Sequence, residues 1–213
     1  MSARHRETPN RSLLVGAPRP LLSQRAEAAL GSRHRAVLDG LEQLLAQGEL
    51  GTLTIGGLAT RLGCSRRTLY ELAPSKEQLF LLAVDRIMHR IGHSAIAAID
   101  PQAPASVQLR QYAIASLICS FGPDAYDDIA EVPGANRTVD RHYRFATTVI
   151  ERIVATGVDR GEFRAGNPSF AAVVILASAV HLARPDVLAD LGISLEEAVS
   201  QMLDLTVAGL LDR

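Results

Sequence analysis

Apolar residues recur every three or four positions along most of the chain, and short clusters of Gly, Pro, Ser and Asn separate the periodic segments. That period marks helices that bury one face, and no stretch has the two-residue alternation of a half-buried strand. Val37, Leu41, Leu44 and Leu45 form the buried stripe of a helix predicted over 32–47, which Gly48 and Gly51 end. Ile55, Leu58, Ala59 and Leu62 stand at i, i+3, i+4 and i+7 of a short helix, with Thr54 as N-cap and Gly63 as its left-handed end. Ser65 caps a second short helix, in which Leu69 points inward while Arg66, Arg67, Thr68 and Tyr70 are free to face out. Ser75 and Gln78 have capping-box spacing and open a helix expected to reach 99, before Asp100-Pro101. Further helices are expected over 105–121, 124–131 and 135–156, set apart by Gly122-Pro123, Pro133-Gly134 and Gly157. Asn167-Pro168 opens a helix to 183, and a capping box at Ser194 and Glu197 opens the last one, to 211. The pattern predicts an all-α fold of about nine helices.

The two short helices joined by Gly63-Cys64-Ser65 read as a helix-turn-helix. Its second helix carries arginines, which suit guanine edges and phosphates, and hydroxyls, which suit phosphate oxygens. The run Thr54-Ile55-x-x-Leu58-Ala59-x-x-Leu62-Gly63-Cys64-Ser65-x-x-Thr68-Leu69-Tyr70, then Ser75-Lys76-Glu77-x-Leu79, resembles the TetR family of bacterial transcriptional regulators. The resemblance spans residues 33–79. It implies an all-helical homodimer with a three-helix DNA-binding domain over 32–80 and a ligand-binding and dimerisation domain over 81–213. In one place the chain departs from the family. Between Tyr70 and Ser75 the family has His or Tyr followed by Phe, and this chain has Leu72 and Ala73.

Charge sharpens this division. Residues 1–90 carry 13 Arg or Lys against 8 Asp or Glu, and the remainder carry 9 against 15. A basic first half and an acidic second half suit a DNA reader joined to something that avoids DNA. Residues 1–31 read as an arm, disordered or partly helical, with Arg4, Arg6, Arg11 and Arg19 among prolines and a helical turn over 23–30. Such an arm suits the minor groove beside a helix-turn-helix. Cys64 and Cys119 are too few for a disulfide framework and fit reduced thiols in a cytoplasmic protein. The longest apolar run, 170–180, falls short of the roughly 20 residues a membrane helix needs. Apolar residues make up 47% of the chain and aromatics only 4%, so the core must be Leu, Val, Ile and Ala.

The candidate DNA contacts are Arg35, Thr54, Ser65, Arg66, Arg67, Thr68, Tyr70 and Lys76. Each has a plainer reading as a solvated charge, a cap or a packed ring. Lys76, the only lysine, sits at a helix start, where its charge gains nothing from the dipole and a phosphate partner is favoured. By the resemblance, Tyr112, Ser116, Cys119, Phe121, His142, Tyr143 and Thr147 line a pocket for a small apolar or amphipathic effector; most of them also suit ordinary core or surface. The helix over 170–180 is apolar on every side save Ser178, which predicts a dimer face at Phe170, Val173, Val174, Ala177 and His181. Val199, Met202, Thr206 and Leu210 extend that face on the last helix.

No metal site is expected: His142 and Cys119 lack a second ligand at regular spacing, and His89 and His93 fit a solvated helix face better. No catalytic triad, phosphate-cradling glycine loop or dinucleotide fingerprint is present, so neither catalysis nor a cofactor is expected. The rival reading is an all-α carrier or enzyme with a vestigial helix-turn-helix, encouraged by Leu72-Ala73 and by the helix-weakening pair Gly56-Gly57.

Overall fold

A computed structural model describes residues 13, 16–118, 129, 131–164 and 166–211. Ten helices have defined bounds there: α1 (Gln24–Ala29), α2 (Ser32–Ala46), α3 (Ile55–Arg61), α4 (Arg66–Leu72), α5 (Lys76–Ala97), α6 (Ala105–Ile118), α7 (Ala135–Asp159), α8 (Pro168–Leu182), α9 (Pro185–Leu191) and α10 (Leu195–Leu210). No strand occurs among the described residues, and the all-α expectation is borne out. The helix starts follow the caps read from the sequence. Thr54, Ser65, Asn167 and Ser194 each accept the backbone N–H three residues on, and Glu197 returns the bond to Ser194 as a full capping box.

The chain divides into two units, residues 18–90 with 119–143 and residues 1–17 with 91–118 and 144–213. Both α5 and α7 begin in the first unit and end in the second.

In the first unit Leu38, Leu41, Leu45, Leu58, Leu69, Leu79 and Phe80 are all within 1% of full burial. Gly40 has a local reason: a β-carbon there would sit 2.5 Å from Cδ2 of Leu62, so glycine lets α2 approach the end of α3. Gly63 stands at φ 60°, the left-handed conformation that closes α3 before the turn. Arg86 of α5 ties α1 and α2 to it. It pairs with Glu27 at 2.8 Å, with Asp39 at 3.2 Å and with the buried Glu42 at 3.1 Å, and Arg90 also pairs with Glu42.

The second unit has a continuous apolar core. Ile96 of α5, Ile99 just after it, Leu109 and Tyr112 of α6, Ile150, Ile153 and Val154 of α7, Ala172 and Ile175 of α8, and Val199 and Leu203 of α10 all belong to it. Leu13 joins this core at 7% exposure, and its carbonyl accepts a bond from Arg152. That part of the expected arm is therefore packed, while Arg4, Arg6 and Arg11 lie outside the described residues. Gly157 was expected to end a helix, yet α7 runs on to Asp159. The Phe163 ring folds back against it: a β-carbon at 157 would lie 2.4 Å from that ring and 2.8 Å from Cβ of Ala105.

Two further differences stand out. The short helix α9 was not anticipated, although Pro185 occupies its first turn and Gly192 ends it at φ 65°. The expected helix over 124–131 falls mostly outside the described residues, as does the end of the one over 105–121.

Candidate nucleic-acid interface

The helix-turn-helix places its side chains unevenly. Leu69 anchors α4 at full burial, leaving Arg66, Arg67 and Tyr70 exposed, with 51% of Tyr70 accessible. Arg66 folds across the start of α3: a β-carbon on Gly56 would meet its guanidinium at 2.8 Å. This gives Gly56 a packing role that its poor helix propensity hides. The Arg67 side chain is 89% exposed and donates to Glu71 one turn on at 3.0 Å. Glu71 also lies 3.0 Å from Nε2 of His34 on α2. The Arg67 and His34 hydrogen bonds hold the Glu71 carboxyl below the usual carboxylate range.

Two residues behave differently from their reading in the sequence. Thr68 does not face out: it is 6% exposed, with its hydroxyl 2.9 Å from that of Ser65. The capping Ser65 takes the Thr68 backbone N–H, which draws the threonine into the turn. Lys76 donates to the carbonyl of Gly51 at 2.5 Å, so its charge ties the start of α5 to the loop before α3. Thr54 caps α3 as expected, its hydroxyl accepting the N–H of Gly57. Arg35 is exposed on the first turn of α2. Cys64 is half-buried in the turn, and burial raises its thiol above the usual range against the pull of Arg33.

The residues expected to hold an effector are spread out. Tyr112 sits in the core of the second unit, where burial pushes its phenol far above the usual range. On the same helix the hydroxyl of Ser116 is spent on the Tyr112 carbonyl at 2.8 Å. Thr147 lies on the part of α7 in that unit, while His142 and Tyr143 belong to the first unit. Cys119 and Phe121 lie outside the described residues.

On α8, Phe170 is 69% exposed, Val173 55% and Val174 39%, with Ala177 and His181 continuing the same face. On α10 the picture reverses. Val199 and Met202 are buried in the core of their own unit, and Thr206 and Leu210 are half-buried. The free side chain there is Leu205, 78% exposed. Two open grooves flank it, of about 450 Å³ beside Phe170 and Val174 and about 500 Å³ beside His181 and Leu191.

One cluster had no counterpart in the sequence reading. Asp85, His89 and His142 present ligand-type atoms within 4.8 Å of one another inside the first unit. Their separation along the chain hides this meeting of α5 and α7.

The comparisons agree with this architecture. The family model described as the tetracyclin repressor-like C-terminal domain matches residues 126–200. SmeT, the repressor of the Stenotrophomonas maltophilia multidrug efflux pump SmeDEF, superposes with a TM-score of 0.64 at 19% identity, over 84% of this chain and 90% of that one. A TetR-family transcriptional regulator from Agrobacterium tumefaciens gives 0.66 at 15% identity, over 85% and 98%. A Saccharomonospora viridis protein classed as a transcriptional regulator, solved in complex with choline, gives 0.67 at 18%, over 84% and 98%. No curated protein matches the sequence. Fold and matched domain together bear out the resemblance to the TetR family read from the helix-turn-helix. Among the described residues, no single helix is long and apolar enough to cross a membrane.

Proposed function

We propose that the chain is a homodimeric DNA-binding transcriptional regulator, acting as a repressor that a small apolar or amphipathic molecule releases. The observation that carries this reading is α4, a capped helix anchored by Leu69 that offers Arg66, Arg67 and Tyr70 to solvent. Arginines at the start of a recognition helix suit guanine edges and phosphates. Arg35 and the capping hydroxyls of Thr54 and Ser65 stand beside it as phosphate contacts.

Dimerisation would use the ridge of Phe170, Val173, Val174, Ala177 and His181, with Leu205 added from α10 and Thr206 and Leu210 at its edge. An apolar strip of that kind is one that soluble monomers seldom leave in water. A two-fold pair would bring two copies of α4 to successive major grooves, about 34–36 Å apart. The choline complex among the fold neighbours, and a complex of SmeT with triclosan, support a small organic effector. Tyr112, Ser116 and Thr147, all in the second unit, remain the candidate lining. Release follows if the effector binds the two conformations with different affinity.

The test is fluorescence anisotropy with DNA from upstream of the chain's own gene, across a salt series. A saturable, salt-sensitive affinity that exceeds binding to unrelated DNA is expected. Indistinguishable affinity for both DNAs would refute the reading and favour an all-α carrier.

A further inference from the structure

Asp85 and His89 stand one turn apart on α5, and His142 reaches them from α7 within the same unit. Asp85 is completely buried, His142 is 5% exposed, and the His89 side chain is 15% exposed. Both imidazoles turn Nε2 toward the carboxylate. His142 lies 3.2 Å from Oδ1 and His89 lies 3.7 Å from Oδ2. The two rings meet edge to face, with centroids 4.7 Å apart. The carboxylate also accepts the Leu21 N–H and the Arg141 guanidinium, each at 2.7 Å.

We propose that Asp85, His89 and His142 bind one divalent transition-metal ion of the zinc class, with a fourth position left for water or an outside ligand. A tetrahedral ion with bonds of about 2.0–2.1 Å holds its ligand atoms about 3.3 Å apart. The two imidazoles approach opposite oxygens of the carboxylate, at 3.2 and 3.7 Å, and the three ligand atoms lie within 4.8 Å of one another. Side-chain turns close the remaining gap. Two nitrogens and one oxygen suit zinc, cobalt or nickel, whereas magnesium and calcium ask for oxygen alone.

The charge balance points the same way. Arg141 neutralises Asp85, and the Leu21 N–H and His142 bond its oxygens, so the buried carboxylate is already held before His89 is counted. The second imidazole exceeds that need. Arg141 is the resident cation, its side chain 38% exposed, and it can withdraw to solvent as the ion enters. A bound ion would fasten α5 to α7 and, through Leu21, to the segment before α1. The site stands whether or not the chain reads DNA.

Cobalt titration of the untagged chain, followed by visible absorption and by displacement with zinc, tests the site. One cobalt per chain with the absorption of a four-coordinate ion is expected. It should be lost in His89→Gln and in His142→Gln while both retain the wild-type cooperative melt. Arg141→Gln should bind cobalt about three- to tenfold more tightly, because it removes the competing cation; this variant decides the matter should the histidine variants fail to fold. The site is overturned by a wild-type chain that takes up no stoichiometric cobalt, by uptake that survives the double histidine change, or by an Arg141→Gln chain that binds no better than wild type.

Discussion

Leu205→Ala ought to weaken self-association while leaving the protomer's fold alone, and Val199→Ala ought to do the reverse. The two residues sit on the same helix with opposite surroundings: Leu205 is 78% exposed and Val199 is 1% exposed. Full burial of a leucine side chain is worth about 1.5–3 kcal/mol, and roughly three quarters of that remains to be gained at 205. A two-fold interface counts the loss twice, giving about 2–4 kcal/mol, or about a 30- to 1,000-fold rise in the dimer Kd. Truncating Val199 instead removes about 0.8 kcal/mol per buried carbon and leaves a cavity, so folding should lose about 2 kcal/mol. Sedimentation over a dilution series reads the first effect. Thermal melts at matched concentration read the second, since Tm itself shifts with dimer dissociation. If Leu205→Ala dimerises like the wild type while Val199→Ala falls apart into folded monomers, the exposed ridge is not the interface.

Other substitutions separate the roles within the helix-turn-helix unit. Arg67→Ala should weaken specific DNA binding by about 1–3 kcal/mol if this arginine reads a base, and anisotropy on matched and scrambled operators distinguishes that from a phosphate contact. Lys76→Ala should lower thermal stability by about 1–3 kcal/mol through its lost bond to Gly51; unchanged stability with a salt slope shallower by about one would mark a phosphate contact instead. The Glu71 pKa is lowered in the fold, so its contribution is complete above the ordinary carboxylate value of 4.5 and disappears as pH falls through the lowered one. Urea melts between neutral pH and pH 3 should therefore lose less on acidification in Glu71→Gln than in wild type; equal losses would show that the tie to Arg67 and His34 contributes nothing.

What the sequence reveals well is local. A capping hydroxyl and its N–H are three residues apart, so Thr54, Ser65, Asn167 and Ser194 announce their helices before any tertiary contact forms. Pro185 and Gly192 mark α9 by a different local signal, a proline in its first turn and a left-handed glycine at its end. Facing direction is harder. A stripe at three- and four-residue spacing on α10 reads equally well as core or interface, and only the surrounding helices assign Val199 and Met202 to the core and leave Leu205 exposed. The inward turn of Thr68 depends on a side-chain pairing that propensity does not encode. The meeting of Asp85 and His142 is further still from legibility, because no local period links residues that far apart.

The crowding at Gly157 bears on how this chain tolerates change. A designer stiffening α7 would replace the glycine in its last turn first, since alanine favours a helix by about 1 kcal/mol. Here the added methyl would collide with the Phe163 ring and with Ala105, so the swap should set back the very element it was meant to strengthen. Gly92 in α5 looks the same on paper, yet a β-carbon there would meet nothing nearer than Phe145 at 4.0 Å. In a saturation library the first position would admit almost nothing but glycine, while the second would accept alanine and drift freely between lineages.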